Sequence, residues 1–270
     1  MKMPRNRRLK PLPLRSLAPN ILTVLALCAG LTAIRFSLLE RWELAVLAIV
    51  VAGILDGLDG RLARLLKGTT KFGAELDSLS DFVSFGVAPG ILIYNWTLHH
   101  NSRVGWIVVL AFAVSCALRL ARFNTALDDP DRPAYMSNFF TGVPAPGAAA
   151  LAVLPMLLSF QGFEEIFRQP LVMGPHLLFV AFLMVSRIPT YAFKRIRVSR
   201  EFVLPLLMAV ALLAAVVVSY PWLTMSVLGF AYLGSIPLSV RAFRRLRRES
   251  AQAEAAEAAE AEDEEETAEG

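Results

Sequence analysis

The chain has 270 residues, 56% of them hydrophobic, with 27 Lys and Arg against 23 Asp and Glu and a mean hydropathy of +0.53. An ordinary soluble domain, which carries more charge and shorter apolar runs, is excluded. A disulfide framework is not expected, because Cys28 and Cys116 both fall inside apolar runs and read as packing residues.

Runs of about twenty residues with few charges read as transmembrane helices. Eight are present, at roughly 18–38, 43–66, 72–97, 104–124, 142–160, 170–189, 203–219 and 222–240. Several contain Pro or Gly, which membrane helices tolerate. The expected architecture is all-α: one polytopic membrane helix bundle of about eight transmembrane helices over 18–240. A basic segment, 1–17, precedes it and a basic-then-acidic tail, 241–270, follows. No internal repeat stands out. His99, His100 and His176 lack the helical spacing of a zinc motif.

Lys and Arg alternate between loops. "MKMPRNRRLKPLPLR", "GRLARLLKGTTK", "RIPTYAFKRIRVSR" and "RAFRRLRR" are rich in them; "SLLERWE", "LHHNSR", "FQGFEEIFRQP" and "SYPW" are poorer. By the positive-inside rule, both termini and the hairpin that joins spans two and three, with the aspartates it carries, face the cytoplasm of a bacterial-type membrane. The N-terminal segment either sets this topology alone or also lies along anionic lipid. After Arg248 the chain turns Ala/Glu-rich, "ESAQAEAAEAAEAEDEEETAEG". Such a tail is expected to be solvated, disordered or transiently helical. A nucleic-acid partner is not expected; membrane lipid is, and homodimerisation is left open.

The stretch "DGLDGRLARLLKGTTKFGAELDSLSD" sets four aspartates on the ends of the second and third spans. Asp56 and Asp59 are three apart, and Asp77 and Asp81 four apart, so each pair shares a helix face. With the turn near Gly68 and Thr69, Asp56 and Asp81 lie at similar depth, as do Asp59 and Asp77. Four carboxylates converging in a dry site call for a cation. Oxygen-only ligands favour Mg²⁺, Mn²⁺ or Ca²⁺, and two ions fit chemistry on phosphate esters. The alternative is a set of capping or salt-bridged carboxylates partnered by Arg61, Arg64 and Lys67. Gly60, Ala63 and Gly73 lie beside these aspartates, and Arg64 can grip a phosphate with a bidentate fork. Together they suggest a diphosphate at the membrane face; close helix packing through Gly60 and Gly73 is compatible with it.

Asp56-x-x-Asp59-Gly60-x-x-Ala63-Arg64, eight residues, then Gly73-x-x-x-Asp77-x-x-x-Asp81 resembles the signature of the CDP-alcohol phosphotransferases without a departure. "GAELDSLSDFVSFGVAP", "ALRLARFN", "FFTGVPAPGAAA", "SRIPTYAFKRI" and "LAPNILTVLALCAG" resemble segments of the phosphatidylserine synthase branch. The resemblance implies a reaction of CDP-diacylglycerol with L-serine that gives phosphatidylserine and CMP. It implies Asp56, Asp59, Asp77 and Asp81 as metal ligands, with Asp81 also the general base on the serine hydroxyl. Asp56, Gly60, Ala63, Arg64 and Gly73 would line the CDP-diacylglycerol pocket. Direct in-line transfer is preferred, with a covalent intermediate left open. Arg119, Arg122, Asn124 and Arg187 are candidates for the serine carboxylate or the donor phosphate. Lys194, Arg195 and Arg197 read as snorkelling residues. Phosphatidylglycerophosphate synthase, with another acceptor on the same donor, is the alternative within the family. A cation transporter built on the carboxylates is the alternative outside it.

Overall fold

The computed structural model describes residues 14–66, 70–127, 139–191 and 203–269. Expectations resting on residues 1–13 of the N-terminal segment, on Lys67, Gly68 and Thr69, and on Lys194, Arg195 and Arg197 fall outside these residues. The rest forms two compact units that meet in sequence between Trp96 and Thr97.

The first unit is helical. It comprises α1 (Leu14–Leu38), α2 (Trp42–Leu65), α3 (Lys71–Asp81), a π-helical stretch (Phe82–Val87) and α4 (Ala88–Trp96). α1 ends in a tight turn in which Glu40 takes φ 56° and the Arg41 N–H bonds the Phe36 carbonyl at 2.9 Å. This is a Schellman-type stop, with glutamate where glycine is usual. The turn folds α2 back along α1, burying Ala26, Ala33, Ala45, Val46, Ile49 and Ala52. Small residues at these positions let the two helices approach closely. The third span also packs on α1. Ser80 donates to the Thr23 carbonyl at 3.1 Å, Ser84 to the Ala26 carbonyl at 3.3 Å, and Asn95 to the Ser37 hydroxyl at 3.0 Å.

Gly30 marks the closest approach. A Cβ there would lie 2.4 Å from Ser84 Oγ and 2.8 Å from Ser84 Cα. The second contact is with backbone, so a side-chain rotation cannot relieve it. Gly30→Ala is expected to lose about 1–3 kcal/mol, the usual cost of overpacking. The measurement is the thermal midpoint of the detergent-solubilised protein; an unchanged midpoint would refute this contact.

The second unit contains α5 (Ser102–Leu127), β1 (Phe139–Thr141), α6 (Ala145–Ala152), α7 (Leu154–Leu158), a π-helical stretch (Ser159–Phe163), α8 (Glu164–Phe167), α9 (Pro170–Val185), β2 (Pro189–Tyr191), α10 (Val203–Ser219) and α11 (Pro221–Glu269). α5 packs on α9, with Phe112, Cys116, Met173 and Leu177 buried. β1 and β2 pair antiparallel, Phe140 opposite Thr190. Gly142 follows β1 at φ +79°, and a Cβ there would lie 2.5 Å from the Met184 carbonyl oxygen. Only glycine suits that position.

Four helical stretches are long and apolar enough to cross a membrane: Leu17–Leu38, Lys71–Trp96, Arg103–Ala126 and Pro221–Leu246. The pair Ala145–Ala152 and Leu154–Phe167, bent by 40°, makes a fifth if taken as one broken span. The count among the described residues is therefore four or five, short of the eight expected. α2 is long enough at 24 residues, but it carries Glu43, Asp56, Asp59, Arg61 and Arg64. α9 and α10 have 16 and 17 residues, just under a full crossing. The expected continuous span at 142–160 instead breaks at Val153, and the helix is broken once more just past it at Gly162, which has φ 101°. Exposed Leu31, Ile107, Val114 and Phe182 present the apolar surface that lipid covers. The acidic tail, expected to be solvated and disordered or transiently helical, continues α11 to Glu269. Alanine and glutamate are strong helix formers, so they prolong the helix they follow.

Candidate active site

The site is built on the facing ends of α2 and α3. Thr70 caps α3 from an extended conformation, its hydroxyl accepting from the Gly73 N–H at 3.0 Å. Gly73 also lies against α1: a Cβ there would be 2.7 Å from Asn20 Oδ1. The first turn of α3 is thereby held on α1, and Asp77 follows one turn later.

The structure brings Asp56, Asp59 and Asp77 together. One carboxylate oxygen of each lies within 4.8 Å of the other two. Metal–oxygen distances of about 2.0–2.6 Å leave oxygens on one ion about 3–5 Å apart, so the three fit a single hard cation. Asp59 is buried, while Asp56 and Asp77 are half-buried. Three ionised carboxylates this close repel one another, and a divalent cation would remove that repulsion. Asp81 is half-buried and lies outside this group of three. It stands one helical turn beyond Asp77, about 6 Å along the axis.

Thr23 was not singled out in the sequence. Its hydroxyl lies 2.7 Å from Asp59 Oδ2 and 3.1 Å from the Pro19 carbonyl. An ionised carboxylate only accepts, so the Thr23 proton serves Asp59 when Asp59 is charged. The Thr23 carbonyl accepts from Ser80, so one residue of α1 ties both carboxylate-bearing helices in place. Partners of ligands in this position typically govern metal affinity by about 10–100-fold. Thr23→Val keeps the shape and removes the donor; it is expected to raise the divalent-ion concentration for half-maximal activity by at least about tenfold. Thr23→Ser should restore it. Activity measured against Mn²⁺ concentration checks this, and an unmoved midpoint in the valine variant would remove Thr23 from the site.

The two glycines differ in their surroundings. Gly73 packs closely on Asn20 and Thr70. Gly60 is exposed, and a Cβ built there meets nothing within 4 Å among the described residues. It leaves open space directly beside Asp59. Ala63 is half-buried and Arg64 is exposed on the same end of α2.

The other candidate residues belong to the second unit. Arg119 is buried on α5, its guanidinium 5.4 Å from the centroid of the Phe123 ring. Arg122 donates from Nη1 to the Val185 carbonyl at 2.8 Å. Val185 ends α9, so this arginine satisfies a terminal carbonyl and complements the helix dipole. Asn124 is half-buried and Arg187 is exposed.

The fold and the three gathered carboxylates define a polytopic helical membrane protein with a centre suited to a hard cation. Residues 16–186 match the family model described as CDP-alcohol phosphatidyltransferase, and residues 201–237 match a second, CDP-alcohol phosphatidyltransferase 2. The chain belongs to the CDP-alcohol phosphatidyltransferase family. It is 41% identical over 228 residues to the CDP-diacylglycerol--serine O-phosphatidyltransferase of Mycobacterium tuberculosis (strain ATCC 25618 / H37Rv), covering 84% of this chain and 79% of that one. The protein of the same name from Mycobacterium leprae (strain TN) is 39% identical over 243 residues, covering 90% and 80%. That of Bacillus subtilis (strain 168) is 33% identical over 177 residues, covering 66% and 91%. Family membership decides for an enzyme over a transporter.

Proposed function

We propose that this enzyme transfers the phosphatidyl group from CDP-diacylglycerol to L-serine, giving phosphatidylserine and CMP. The observation that carries the reading is the carboxylate group of Asp56, Asp59 and Asp77 beside the open face of Gly60. It occurs in a chain whose relatives bear that activity in their names. In this reading Asp56, Asp59 and Asp77 hold Mg²⁺ or Mn²⁺, with Asp81 completing a second position. A divalent cation bound there supplies charge neutralisation for the diphosphate and for the leaving CMP. Gly60 and Ala63 leave room for the CDP group along α2, and Arg64 meets its phosphates. Asp81 takes the proton of the serine hydroxyl as that oxygen bonds phosphorus. Arg119, Arg122, Asn124 and Arg187 are the candidates for the serine carboxylate or the donor phosphate.

The test uses purified enzyme, CDP-diacylglycerol labelled in its acyl chains, Mn²⁺ or Mg²⁺, and either L-serine or glycerol 3-phosphate. Labelled phosphatidylserine with stoichiometric CMP is the expected result. Labelled phosphatidylglycerophosphate instead would assign the other acceptor.

The positive-inside pattern supports a cytoplasmic site. In a variant with Cys28 and Cys116 replaced by serine, G68C should react with a membrane-impermeant thiol reagent only after the cytoplasmic face is opened. Labelling from the outer face of intact cells would contradict the orientation.

A further inference from the structure

We infer that the arginine-bearing end of α11 is a docking surface for anionic phospholipid headgroups of the surrounding bilayer. The inference does not depend on which alcohol the enzyme uses.

Leu223, Val227, Phe230, Gly234 and Leu238 recur at intervals of three and four, so they form one stripe along α11. The four large apolar members are each 50–58% exposed, and a Cβ on Gly234 meets nothing within 4 Å. Ile236 and Ser239, on the other side of the helix, are buried. The stripe is therefore the lipid-facing side of α11 in the apolar stretch Pro221–Leu246. The same spacing continues through Arg241, Arg245 and Arg248, all exposed, with exposed Arg244 on the flank. One helix face thus passes from exposed apolar residues to exposed arginines without a change of phase.

Depth follows from length. Tyr220 and Trp222 stand at the start of the span, where aromatic residues favour the interface. About twenty residues at 1.5 Å each cross the hydrocarbon core, which brings Arg241 to the opposite headgroup layer. The four arginines then emerge within two turns, on a face already turned to lipid. Guanidinium forks match phosphate oxygens, and long stems reach the interface. The net positive charge complements a headgroup of net negative charge and gains less from a zwitterionic one. Glu249 is the local competitor, accepting from Arg245 Nε at 2.8 Å in an exposed ion pair. The alternative occupant is the acidic tail of a second copy.

The experiment reconstitutes the full chain in phosphatidylcholine vesicles. These carry a few mole percent of either phosphatidylglycerol or phosphatidylcholine with a photoreactive group in the headgroup. Crosslinks are then mapped by mass spectrometry. Crosslinks to 241–248 are expected to favour the anionic probe by at least about fivefold, roughly the share of one arginine near a charged surface. Raising salt from about 0.05 to about 0.5 M should weaken that preference. Arg241→Gln/Arg244→Gln/Arg245→Gln/Arg248→Gln should bring the ratio close to one. The matching four Arg→Lys changes should retain most of it, and Glu249→Gln should raise it. If the glutamine variant does not assemble, the salt dependence and the single variant Arg248→Gln carry the test. Equal crosslinking by both probes in the wild type would overturn the inference. So would a preference for the anionic probe that appears only when the chain is truncated after Gln252, which would give this face to the acidic tail.

Discussion

Asp77→Asn is expected to be inactive and, in chelator, more heat-stable than the wild type. The two effects have one cause. Asp77 shares a space under 5 Å across with Asp56 and Asp59, so without a cation each carboxylate is held against two like charges. Asparagine keeps the size and removes one of the three charges. The same change removes an anionic ligand, and turnover is expected to fall by at least about 10²–10³-fold, as when one stabiliser of developing negative charge is lost. Ion binding also stabilises a folded protein by mass action, about 2.7 kcal/mol at a hundred times the dissociation constant. The wild type should therefore gain thermal midpoint on titration with Mn²⁺, and Asp77→Asn should gain far less. Two melting series, in chelator and in Mn²⁺, read both signs. A variant that melts lower than the wild type in chelator, or responds normally to Mn²⁺, would show that the carboxylates do not share an ion.

Asp81→Asn is the second large effect, and it separates two roles. As a ligand only, Asp81 could be replaced by more metal. As general base, its loss persists at saturating metal, and general base catalysis typically contributes about 10²–10⁴-fold. The position of Asp81, one turn beyond Asp77 and outside the group of three, favours the second outcome. The variant is expected to bind CDP-diacylglycerol nearly as well as the wild type while its single-turnover rate falls by about that factor. Recovery of the rate at high Mn²⁺ would make Asp81 a ligand and send the search for the base elsewhere.

Much of the site was legible because periodicity and turn chemistry are local. The three- and four-residue spacings put each pair of aspartates on one helix face, and the sequence Gly-Thr-Thr between two apolar runs reads as the turn that makes those faces neighbours. Thr23 was not legible. A threonine inside an apolar helix reads as bonding back to the carbonyl four residues earlier, and Thr23 does lie 3.1 Å from that of Pro19. Its second partner, Asp59, is set by the crossing of α1 and α2. The β1–β2 ribbon escaped for a similar reason. Each strand has three residues, their partners lie about fifty residues apart, and "FFTGVP" reads as the opening of an apolar span. The different surroundings of Gly60 and Gly73 were not legible in sequence, because whether a glycine faces a helix or open space depends on the neighbour.

The π-helical stretch Phe82–Val87 begins at the residue after Asp81, and the Ala88 N–H bonds the Val83 carbonyl, five residues back. Such a stretch holds one residue more than an α-helix would. One residue is about 100° of rotation, so the phase of 71–81 is offset from that of 88–96. In a family alignment this is a place where a single-residue gap is not neutral. Deleting one residue from 82–87 would restore unbroken α-periodicity while turning Asp77 and Asp81 roughly a quarter-turn away from α2. The same span could then still insert and pack, yet carry its carboxylates to the wrong side. Chains that keep the aspartates but lack this extra residue are thus candidates for having left the catalytic lineage.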